Sequence, residues 1–470
     1  MSIDNAHRML HSDAFTWYME KDPTLRSTVV AVGLLDRPPD RAYLRQRVDR
    51  LTLQVPAMRQ RVQEPPWRIG PPWWVPDPAF DLDYHLRWVR LPEPADWSSV
   101  MQAARLAAMA DFDRARPLWE LTVLEGLPNG QAAIVMKTHH AVADGIGMIE
   151  ISSLVIDATR DMPPLDSLPT PQPRGGMSTA GLLLRSVRGN LVEGLDVGVR
   201  AGRSLLPAGL RTTRRPLQQA RDSLATVASV GRIVRPIMSN ASPLMKQRRM
   251  VRYVDTITVP LAPLHDAASK YDGHLNDAFV TAMTGGLRRY HERHGTNVHE
   301  LRMTMPVNIR RPDDPIGGNR ITLLRFGLPV GEPDPVARLR RISHTIQAWR
   351  AEPAIPLTQG IAFALNLAPR ALIQGILRRV DFLASDVPGL TAPVFLAGAE
   401  LLAYYPFGPT IGTAVNATLL SYVDTCYIGV NIDVAAVPDP ENLMADLRAG
   451  FDEVLQLAAP ASTRRETLVS

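Results

Sequence analysis

The sequence predicts a mixed α/β protein of two domains, each with a mixed sheet flanked by helices. Its 470 residues exceed what a single hydrophobic core ordinarily organises. Strand-like apolar runs and helix-like spacings alternate on both sides of a Pro-rich and basic interruption. Hydrophobic residues make up 45% of the chain and charged residues 21%, which indicates a globular rather than a disordered protein.

The N-terminal domain is predicted to span residues 1–165. Helical spacing and start signals predict helices over residues 9–20, 38–55, 100–112 and 146–159. Alternating apolar residues predict strands over residues 25–35, 118–124 and 131–138, the last two joined as a hairpin by Pro128-Asn129-Gly130. Five tryptophans lie among prolines in residues 62–97, where aromatic packing with β-turns is favoured over a ligand-binding face.

Residues 166–250 are predicted to connect the domains, because five prolines between positions 163 and 173 break the periodic pattern. Residues 174–250 then carry 13 arginines and one lysine against three acidic residues, a net charge of +11, which leaves −6 for the remainder. Helical spacing at 182–206 and 217–238 fits a basic amphipathic surface for an anionic membrane or lipid droplet. A solvated crossover is an equal alternative. Nucleic acid is not expected as a partner, because few aromatic residues interleave with the arginines.

The C-terminal domain is predicted to span residues 251–470. Its predicted helices cover residues 261–270, 276–294, 334–350 and 439–457. Its predicted strands cover residues 251–259, 301–309, 321–329, 394–405, 414–421 and 426–434.

Targeting and redox signals are sparse. The N-terminus has no basic stretch leading into an apolar run, so no signal peptide is expected. No segment reaches 18 consecutive apolar residues, so no transmembrane helix is expected. Cys426 is the single cysteine; it cannot form an internal disulfide, and it is expected to be buried. The absence of these signals predicts a cytoplasmic protein. The basic segment 174–250 adds the expectation that it associates peripherally with the inner face of the membrane or with lipid droplets.

The segment His139-His140-Ala141-Val142-Ala143-Asp144-Gly145 follows a predicted buried strand and precedes a predicted helix. A strand end positions a side chain rigidly, and glycine permits a tight turn. A neutral imidazole accepts a proton near pH 7, so base catalysis is the chemistry indicated. The structural alternative is a satisfied histidine pair, with Asp144 capping the helix.

The pattern HHxxxDG resembles the signature of the CoA-dependent acyltransferase superfamily, which includes chloramphenicol acetyltransferase and the condensation domains of peptide synthetases. Over residues 9–455 the chain more closely resembles the bacterial wax ester synthase/diacylglycerol acyltransferase family. The segments that carry this resemblance are Arg59–Arg61, Pro72–Val75, Phe80–His85, Arg116–Glu120, Asn276-Asp277, Met305–Arg310 and Ser385–Gly389. The resemblance implies two chloramphenicol-acetyltransferase-like domains with an active-site tunnel at their interface.

The same resemblance implies residue roles. His140 is the expected general base, which takes the proton of the acceptor alcohol as it attacks the acyl thioester. His139 is expected to orient the turn or contact substrate. Asp144 is expected to hold the loop through an arginine, for which Arg310 and Arg116 are the candidates.

Four further residues are assigned to substrate binding or structural support: Gly145, Asn276, Trp119 and Ser385. Asn276 either donates a hydrogen bond near the reacting centre or caps the long helix. Trp119 is expected to pack beneath the histidine turn. Asp386 stands where the family usually has Asn, and an ionised carboxylate cannot donate a hydrogen bond.

Rival chemistries fit less well. A serine hydrolase requires GxSxG between a strand and a helix, and the nearest match, near Ser178, has the wrong spacing and lies in the linker. A metal site built on His139 and His140 is disfavoured because neighbouring strand residues point to opposite faces. The HxxxxD spacing of glycerophosphate acyltransferases is present without that family's Pro-Glu-Gly block.

The sequence therefore predicts an acyl-CoA-dependent O-acyltransferase of triacylglycerol or wax ester synthesis, with acyl-CoA as co-substrate and without a metal or other cofactor. Two alternatives stay open: an acyltransferase with a polyketide, sugar or carrier-protein-bound substrate, and a catalytically weak lipid-surface protein. The sequence specifies neither the acceptor, the acyl chain length nor the oligomeric state.

Overall fold

A computed structural model describes residues 6–68, 70–165, 181–189, 228–232, 241–310, 319, 321–353, 355, 377 and 379–458. Two six-stranded mixed sheets organise these residues, and helices pack against them. The predicted mixed α/β class is therefore confirmed. Predictions for the Pro-rich segment 166–176 and for residues 190–227 lie outside the described residues. The second range includes four arginines of the basic segment 174–250: Arg211, Arg214, Arg215 and Arg221.

The first sheet has the strand order β12-β13-β2-β7-β6-β5. Its strands are β2 (Thr28–Leu35), β5 (Leu86–Arg90), β6 (Trp119–Glu125), β7 (Ala132–His139), β12 (Phe395–Leu396) and β13 (Ala399–Phe407). Strands β6 and β7 pair antiparallel, which confirms the predicted hairpin. A small third sheet, not predicted, joins β1 (His7–Arg8), β4 (Trp73–Pro76) and β3 (Gln60–Gln63), and it buries Trp73 and Trp74.

The second sheet has the strand order β10-β9-β11-β14-β15-β8. Its strands are β8 (Arg252–Pro260), β9 (Leu301–Asn308), β10 (Ile321–Leu328), β11 (Phe382–Leu390), β14 (Val415–Tyr422) and β15 (Thr425–Asp433). Strand β11 was missed in the sequence because Asp386, Pro388 and Gly389 interrupt its apolar pattern. Cys426 is buried in β15, as expected.

The described helices are α1 (His11–Met19), α2 (Arg41–Gln54), α3 (Leu82–His85), α4 (Trp97–Met109), α5 (Gly145–Ser153), α6 (residues 181–189), α7 (residues 228–232), α8 (Leu261–Ser269), α9 (Leu275–Arg293), α10 (Pro335–Arg350) and α11 (Pro440–Leu455). The helix expected over 146–159 ends earlier, at Ser153. Helix α9 is the centre of the largest core, where Phe279, Met283 and Leu287 are fully buried against the second sheet and α11.

Strands β12 and β13 come from the C-terminal part of the chain but belong to the first sheet. The residues expected as one strand over 394–405 pair through β13 with β2, where Tyr405 lies opposite Val32 and Phe407 opposite Val30. The sequence pattern shows that the segment is extended but not which strand it pairs with. The domain boundaries near 165 and 250 stay a prediction. Strands β12 and β13 cross them, because they follow residue 250 in the chain but lie in the first sheet.

Two neighbouring strands of the second sheet, β9 and β11, separate along their length. Strand β11 pairs in parallel with β9 only at Phe382 and Leu383, which lie opposite Met303 and Thr304. Beyond that point both strands continue without pairing to each other, β9 to Asn308 and β11 to Leu390. This separation opens the second sheet on the side where α5 of the first half approaches.

Candidate active site

The turn after β7 directs its two histidines to different environments. His139, the last residue of β7, is 2% exposed and packs edge-on against Trp17 and Phe112. His140 lies in the wall of a large cavity. The alternation of side chains along an extended strand produces this division. The two rings therefore have separate roles and do not form a shared ligand pair.

His139 is held in one tautomer by its contacts. The backbone N–H of Ala141 donates to His139 Nδ1 over 3.0 Å, so the proton of the neutral ring is on Nε2, which donates to Glu20 Oε1 over 2.8 Å. Ser27 N–H also donates to this carboxylate, at 2.6 Å, and Arg114 lies 3.4 Å from its other oxygen. Burial raises the pKa of Glu20, but these partners outweigh burial and hold the pKa below its ordinary value. Sequence analysis missed Glu20, which is 119 residues away in the chain.

His140 has the electrostatic environment of a neutral base. Burial lowers the pKa of its imidazole; Asp144 opposes the shift, His139 adds to it, and a hydrogen bond to the residue's own backbone opposes it. The net direction is downward from 6.5, so the ring is neutral at pH 7. A ring N–H held by the backbone leaves the other nitrogen able to accept a proton.

Asp144 is tied to the start of α5 and to an arginine of the second half. It is the N-cap of α5, where its Oδ1 accepts from Gly147 N–H over 2.7 Å. Arg310 Nη2 donates to both carboxylate oxygens, at 3.1 and 3.2 Å. Of the two arginine candidates Arg310 is confirmed, and Arg116 is wrong because it pairs with Asp113 at 3.4 Å.

Gly145 allows α5 to approach the second sheet closely. A Cβ at this position would lie 2.8 Å from Val387 Cγ2 of β11. Such a distance is well inside van der Waals contact, so a side chain here would force the two elements apart. The close contact brings the histidine turn next to the region where β9 and β11 separate.

The cavity lies between the two sheets and has a volume of about 1900 Å³, including its open parts. The first half contributes residues of α1, β2, β7 and α5, and the second half contributes residues of β10, β11, β13 and β14. Apolar side chains predominate, for example Phe15, Met136, Leu323, Leu383 and Leu420. Few polar groups converge on an otherwise apolar space, which is typical of a site for a lipid-like ligand.

The other predicted residues are distributed unevenly around this cavity. Ser385 of β11 lines it. Trp119 does not; it is 1% exposed in the core, stacks on His85 at 4.6 Å and donates from Nε1 to Met58 O over 2.9 Å. Trp119 therefore has the packing role that was expected.

Asn276 lies outside the cavity lining and is not the helix cap. The N-cap of α9 is His274, whose backbone N–H donates to Asp277 Oδ2 over 2.9 Å. Within the described part of the chain, the buried Nδ2 of Asn276 has no hydrogen-bond partner. Asn276 stands two residues after the N-cap, so the capping interpretation is wrong, and a donor role stays a prediction.

Asp386 faces away from the cavity. Its strand neighbours Ser385 and Val387 line the cavity, whereas Ala384, two residues before it, packs in the helix-covered core. Burial raises the pKa of Asp386 to about 6, although Arg350 acts in the opposite direction. Asp386, where the family usually has Asn, thus adds an ionisable group on the face of β11 that is turned away from the cavity and does not change the cavity wall.

Asn319 is a cavity residue that sequence analysis missed. Its Nδ2 donates to Asp13 Oδ1 over 2.8 Å, while its Oδ1 is buried without a partner among the described residues. The only signal in the sequence is the pair Gly317-Gly318 directly before it, a dipeptide that often punctuates loops. Tyr404 of β13 also lines the cavity, and burial raises its pKa to about 12.

Comparisons with known families agree with this geometry. The model of the wax ester synthase/diacylglycerol acyltransferase catalytic domain matches residues 9–279, and that of the C-terminal domain of the same family matches residues 317–454. A putative diacylglycerol O-acyltransferase of Mycobacterium tuberculosis strain H37Rv is 36% identical over 456 residues, covering 95% of this chain and 91% of the relative. A probable diacylglycerol O-acyltransferase of the same strain is 26% identical, with 96% of each chain covered.

Solved structures show the same fold. A wax ester synthase/diacylglycerol acyltransferase from Marinobacter aquaeolei VT8 superposes with a TM-score of 0.63 at 22% identity, covering 96% of this chain and 100% of that one. The first condensation domain of the CDA synthetase gives a TM-score of 0.64 at 15% identity, with 97% of each chain covered. The expected likeness to chloramphenicol-acetyltransferase-like and condensation domains is confirmed at the level of the fold.

Proposed function

The chain belongs to the wax ester synthase/diacylglycerol acyltransferase family, and from that premise we propose how the cavity between its sheets carries out the family reaction. The protein is an acyl-CoA-dependent acyltransferase of the diacylglycerol acyltransferase and wax ester synthase type. The proposal concerns the base, the residues that position it, the acceptor and the surface at which the acceptor is met.

His140 is the proposed general base. The hydroxyl oxygen of the acceptor attacks the thioester carbonyl carbon while its proton passes to His140. The C–S bond then breaks, and the proton is delivered to the departing CoA sulfur, so the products are an ester and free CoA. The observation that carries this assignment is a neutral imidazole in the wall of the inter-sheet cavity. A positioned base contributes about 10²- to 10⁴-fold in rate.

The remaining motif residues act through His140. The Glu20–His139 pair fixes the end of β7, and the Asp144–Arg310 pair fixes the start of α5. His140 lies between these two anchors, so its ring is held by both ends of the turn. Enclosing thioester and alcohol together adds a proximity contribution that can equal or exceed that of the base.

The proposed acceptor is a lipid alcohol, either diacylglycerol or a long-chain alcohol. The mainly apolar lining supports this choice. Polyketide, sugar or carrier-bound acceptors are the alternative within acyl transfer, and a lipid-surface protein of weak activity is the alternative outside it. The first is distinguished by the products formed and the second by the absence of thiol release.

The test uses the purified chain with palmitoyl-CoA and a panel of diacylglycerol, hexadecanol and water. Thiol release measures turnover, and thin-layer chromatography identifies the products. His140→Ala should lower turnover about 10²- to 10⁴-fold, with a smaller loss for His139→Ala. His265→Ala, at an exposed histidine of α8, is the matched control and should leave turnover unchanged. A His140→Ala variant that kept more than about a tenth of turnover would refute the base assignment.

We also propose that the protein works at an anionic membrane or lipid-droplet surface. In the described part of the chain no helix is long and apolar enough to span a bilayer. Helix α6 nevertheless exposes Leu184 and Val187 beside Arg185 and Arg188, while it buries Leu182 and Ser186. Exposed apolar residues flanked by arginines suit the boundary between headgroups and acyl chains.

A further inference from the structure

Arg325 places a positive charge in the lining of the inter-sheet cavity. Strand β10 alternates, so that Leu324 and Phe326 pack in the core of the second half. Ile321, Leu323 and Arg325 line the cavity on the other face. A guanidinium therefore stands in a row where the strand pattern otherwise supplies aliphatic side chains.

Among the residues that the structure describes, no carboxylate pairs with this guanidinium, whereas other buried arginines have one. Arg338 pairs with Glu453 at 2.6 Å, and Arg252 pairs with Asp433 at 3.2 Å. Arg325 has no ion pair or hydrogen bond with the described residues, and its buried Nε has no partner among them. Burial lowers its pKa to about 10, and no carboxylate among the described residues opposes this shift, so Arg325 is still a cation at neutral pH.

The strand register places Arg325 away from the histidine turn. It lies opposite Thr304 of β9, which lies opposite Leu383 of β11. Gly145, at the start of α5, approaches β11 four residues further on, at Val387. Four residues of extended strand correspond to about 13 Å. Arg325 therefore lines the cavity at a distance from the histidine turn that carries His140.

A small side pocket, with about 200 Å³ of space including its open parts, lies beside Arg325. Its polar lining residues are Thr304 and Thr413, and its remaining lining is apolar: Leu323, Leu377, Leu383 and Ile411. A charge in such surroundings is destabilised by several kcal/mol unless a counter-ion or hydrogen bonds compensate it. A guanidinium with free donors is also the side chain best suited to bind a carboxylate or phosphate in two-point fashion.

We propose that Arg325 binds an oxyanion, carboxylate or phosphate, that one substrate carries at a position remote from its reacting atom. The inference rests on the proposed acyl transfer and narrows its substrate class. The preferred ligand is then an acidic amphiphile rather than a wholly neutral lipid. The anion belongs either to the hydroxyl acceptor or to the phosphates of the CoA donor.

The acceptor arm compares hexadecanol with 16-hydroxyhexadecanoate at fixed palmitoyl-CoA. The two molecules share chain length and hydroxyl and differ in the terminal carboxylate. Wild type should favour the hydroxy acid, and Arg325→Leu should reduce the ratio of the two kcat/KM values about 10- to 100-fold, the range of a hydrogen bond to a charged group. Arg325→Lys should retain part of the preference. Arg340→Leu, at an exposed arginine of α10, is the control and should retain all of it.

The donor arm compares palmitoyl-CoA with S-palmitoyl-pantetheine, which lacks the phosphates. If the anion belongs to CoA, Arg325→Leu should remove the discrimination between these donors and leave the acceptor ratio unchanged. Loss in either arm supports the oxyanion site and identifies its source. The proposal would be overturned if a folded Arg325→Leu or Arg325→Gln variant kept the wild-type acceptor ratio and the wild-type donor ratio. The charge of Arg325 would then be solvated by water.

A binding measurement separates this proposal from the proposed function. Calorimetry with 16-hydroxyhexadecanoate and with hexadecanol needs no turnover. One possible outcome is that the protein releases no thiol but binds the hydroxy acid, and that this binding weakens at least tenfold in Arg325→Leu. That outcome would support the oxyanion site and refute acyl transfer. Thiol release with neither a preference nor a binding that depends on Arg325 would support acyl transfer and refute the oxyanion site.

Discussion

At the scale of single residues, the adjacent histidines have different electrostatic partners. His139 is tied to a carboxylate through Nε2, whereas His140 lies in the wall of an apolar cavity. Burial lowers the pKa of His140 and so favours its neutral ring. This supports the proposal that His140 is the base, since a neutral imidazole can accept a proton.

The first prediction concerns the pH dependence of His140. Because burial lowers its pKa below 6.5, activity should fall only when the pH drops through that lowered value. The acid limb of kcat/KM, which reports the free enzyme, should thus have its midpoint below 6.5. Asp386 titrates near 6 and could distort the limb, so Asp386→Asn is the control and should leave the midpoint in place. A midpoint at or above 6.5 would contradict the assignment.

The second prediction concerns Asp386 and stability. Its folded-state pKa of about 6 lies above the ordinary 3.8, so the folded protein binds the proton more tightly than the unfolded chain. Stability from this group is present at low pH and is lost as the pH rises from 3.8 through about 6. Asp386→Asn should therefore stabilise the protein at pH 8 by up to about 3 kcal/mol, a two-unit shift at 1.36 kcal/mol per unit.

Urea denaturation at pH 5 and pH 8 measures this effect. The gain should shrink at pH 5, where the wild-type carboxyl is largely protonated. Asp452→Asn, at an exposed carboxylate of α11, is the matched substitution and should change little at either pH. An equal gain at both pH values would show that burial of the charge is not the cause.

At the scale of elements, α5 is anchored to the second half by the Asp144–Arg310 pair. The pair is buried, with 2% and 9% of the side chains exposed. Asp144→Asn preserves the acceptor that caps Gly147 N–H but leaves Arg310 with weakened pairing. Removing one partner of a buried pair costs about 3–5 kcal/mol. Melting temperature and turnover should therefore fall together.

The double variant Asp144→Asn/Arg310→Met tests the third prediction more sharply. It removes both charges, so its stability should recover relative to Asp144→Asn while turnover stays low, because the turn is no longer held. Denaturation and thiol release measured on the three proteins give the coupling. Unchanged melting with a pure loss of rate in Asp144→Asn would instead place Asp144 in the chemistry.

The fourth prediction concerns α6 and the lipid surface. Arginines near an anionic surface contribute about 1 kcal/mol each, and the attraction is screened by salt. The variant Arg185→Gln/Arg188→Gln should weaken co-sedimentation with anionic vesicles. The variant Leu184→Ser/Val187→Ser should weaken the part of the vesicle binding that persists at high salt. Leu106→Ser, at an exposed leucine of α4, is the control. Equal partition to neutral and anionic vesicles, or no loss in either variant, would contradict this role of α6.

At the scale of the whole molecule, the cavity exists because two halves of the chain are fastened together. Strand β13 inserts into the first sheet, and Arg310 reaches α5 from the end of β9. The side chain of Val387 then packs directly against the backbone of Gly145, which has no side chain of its own. The proposed reacting centre lies at this junction, so any change that loosens one half against the other is expected to disturb the histidine turn.

The sequence by itself determined the local features of this protein. The β6–β7 hairpin and the Asp144 cap at the start of a helix follow from short-range patterns and turn chemistry. The resemblance suggested His140 as the base and an arginine as the partner of Asp144, and Arg310, one of two arginines considered, forms that pair. Local periodicity suffices for these features because each depends on residues close together in the chain.

Only the tertiary structure decided the features that join distant residues. The pairing of β13 with β2, the contact of Glu20 with His139 and the inward face of Arg325 have no local signature. A strand period tells that two faces exist but not which face lines a cavity, and β11, which carries Ser385 and Asp386, was not predicted as a strand. Burial and pKa shifts are sums over neighbours from the whole fold, which is why the charges at Asp386 and Arg325 became interpretable only in three dimensions.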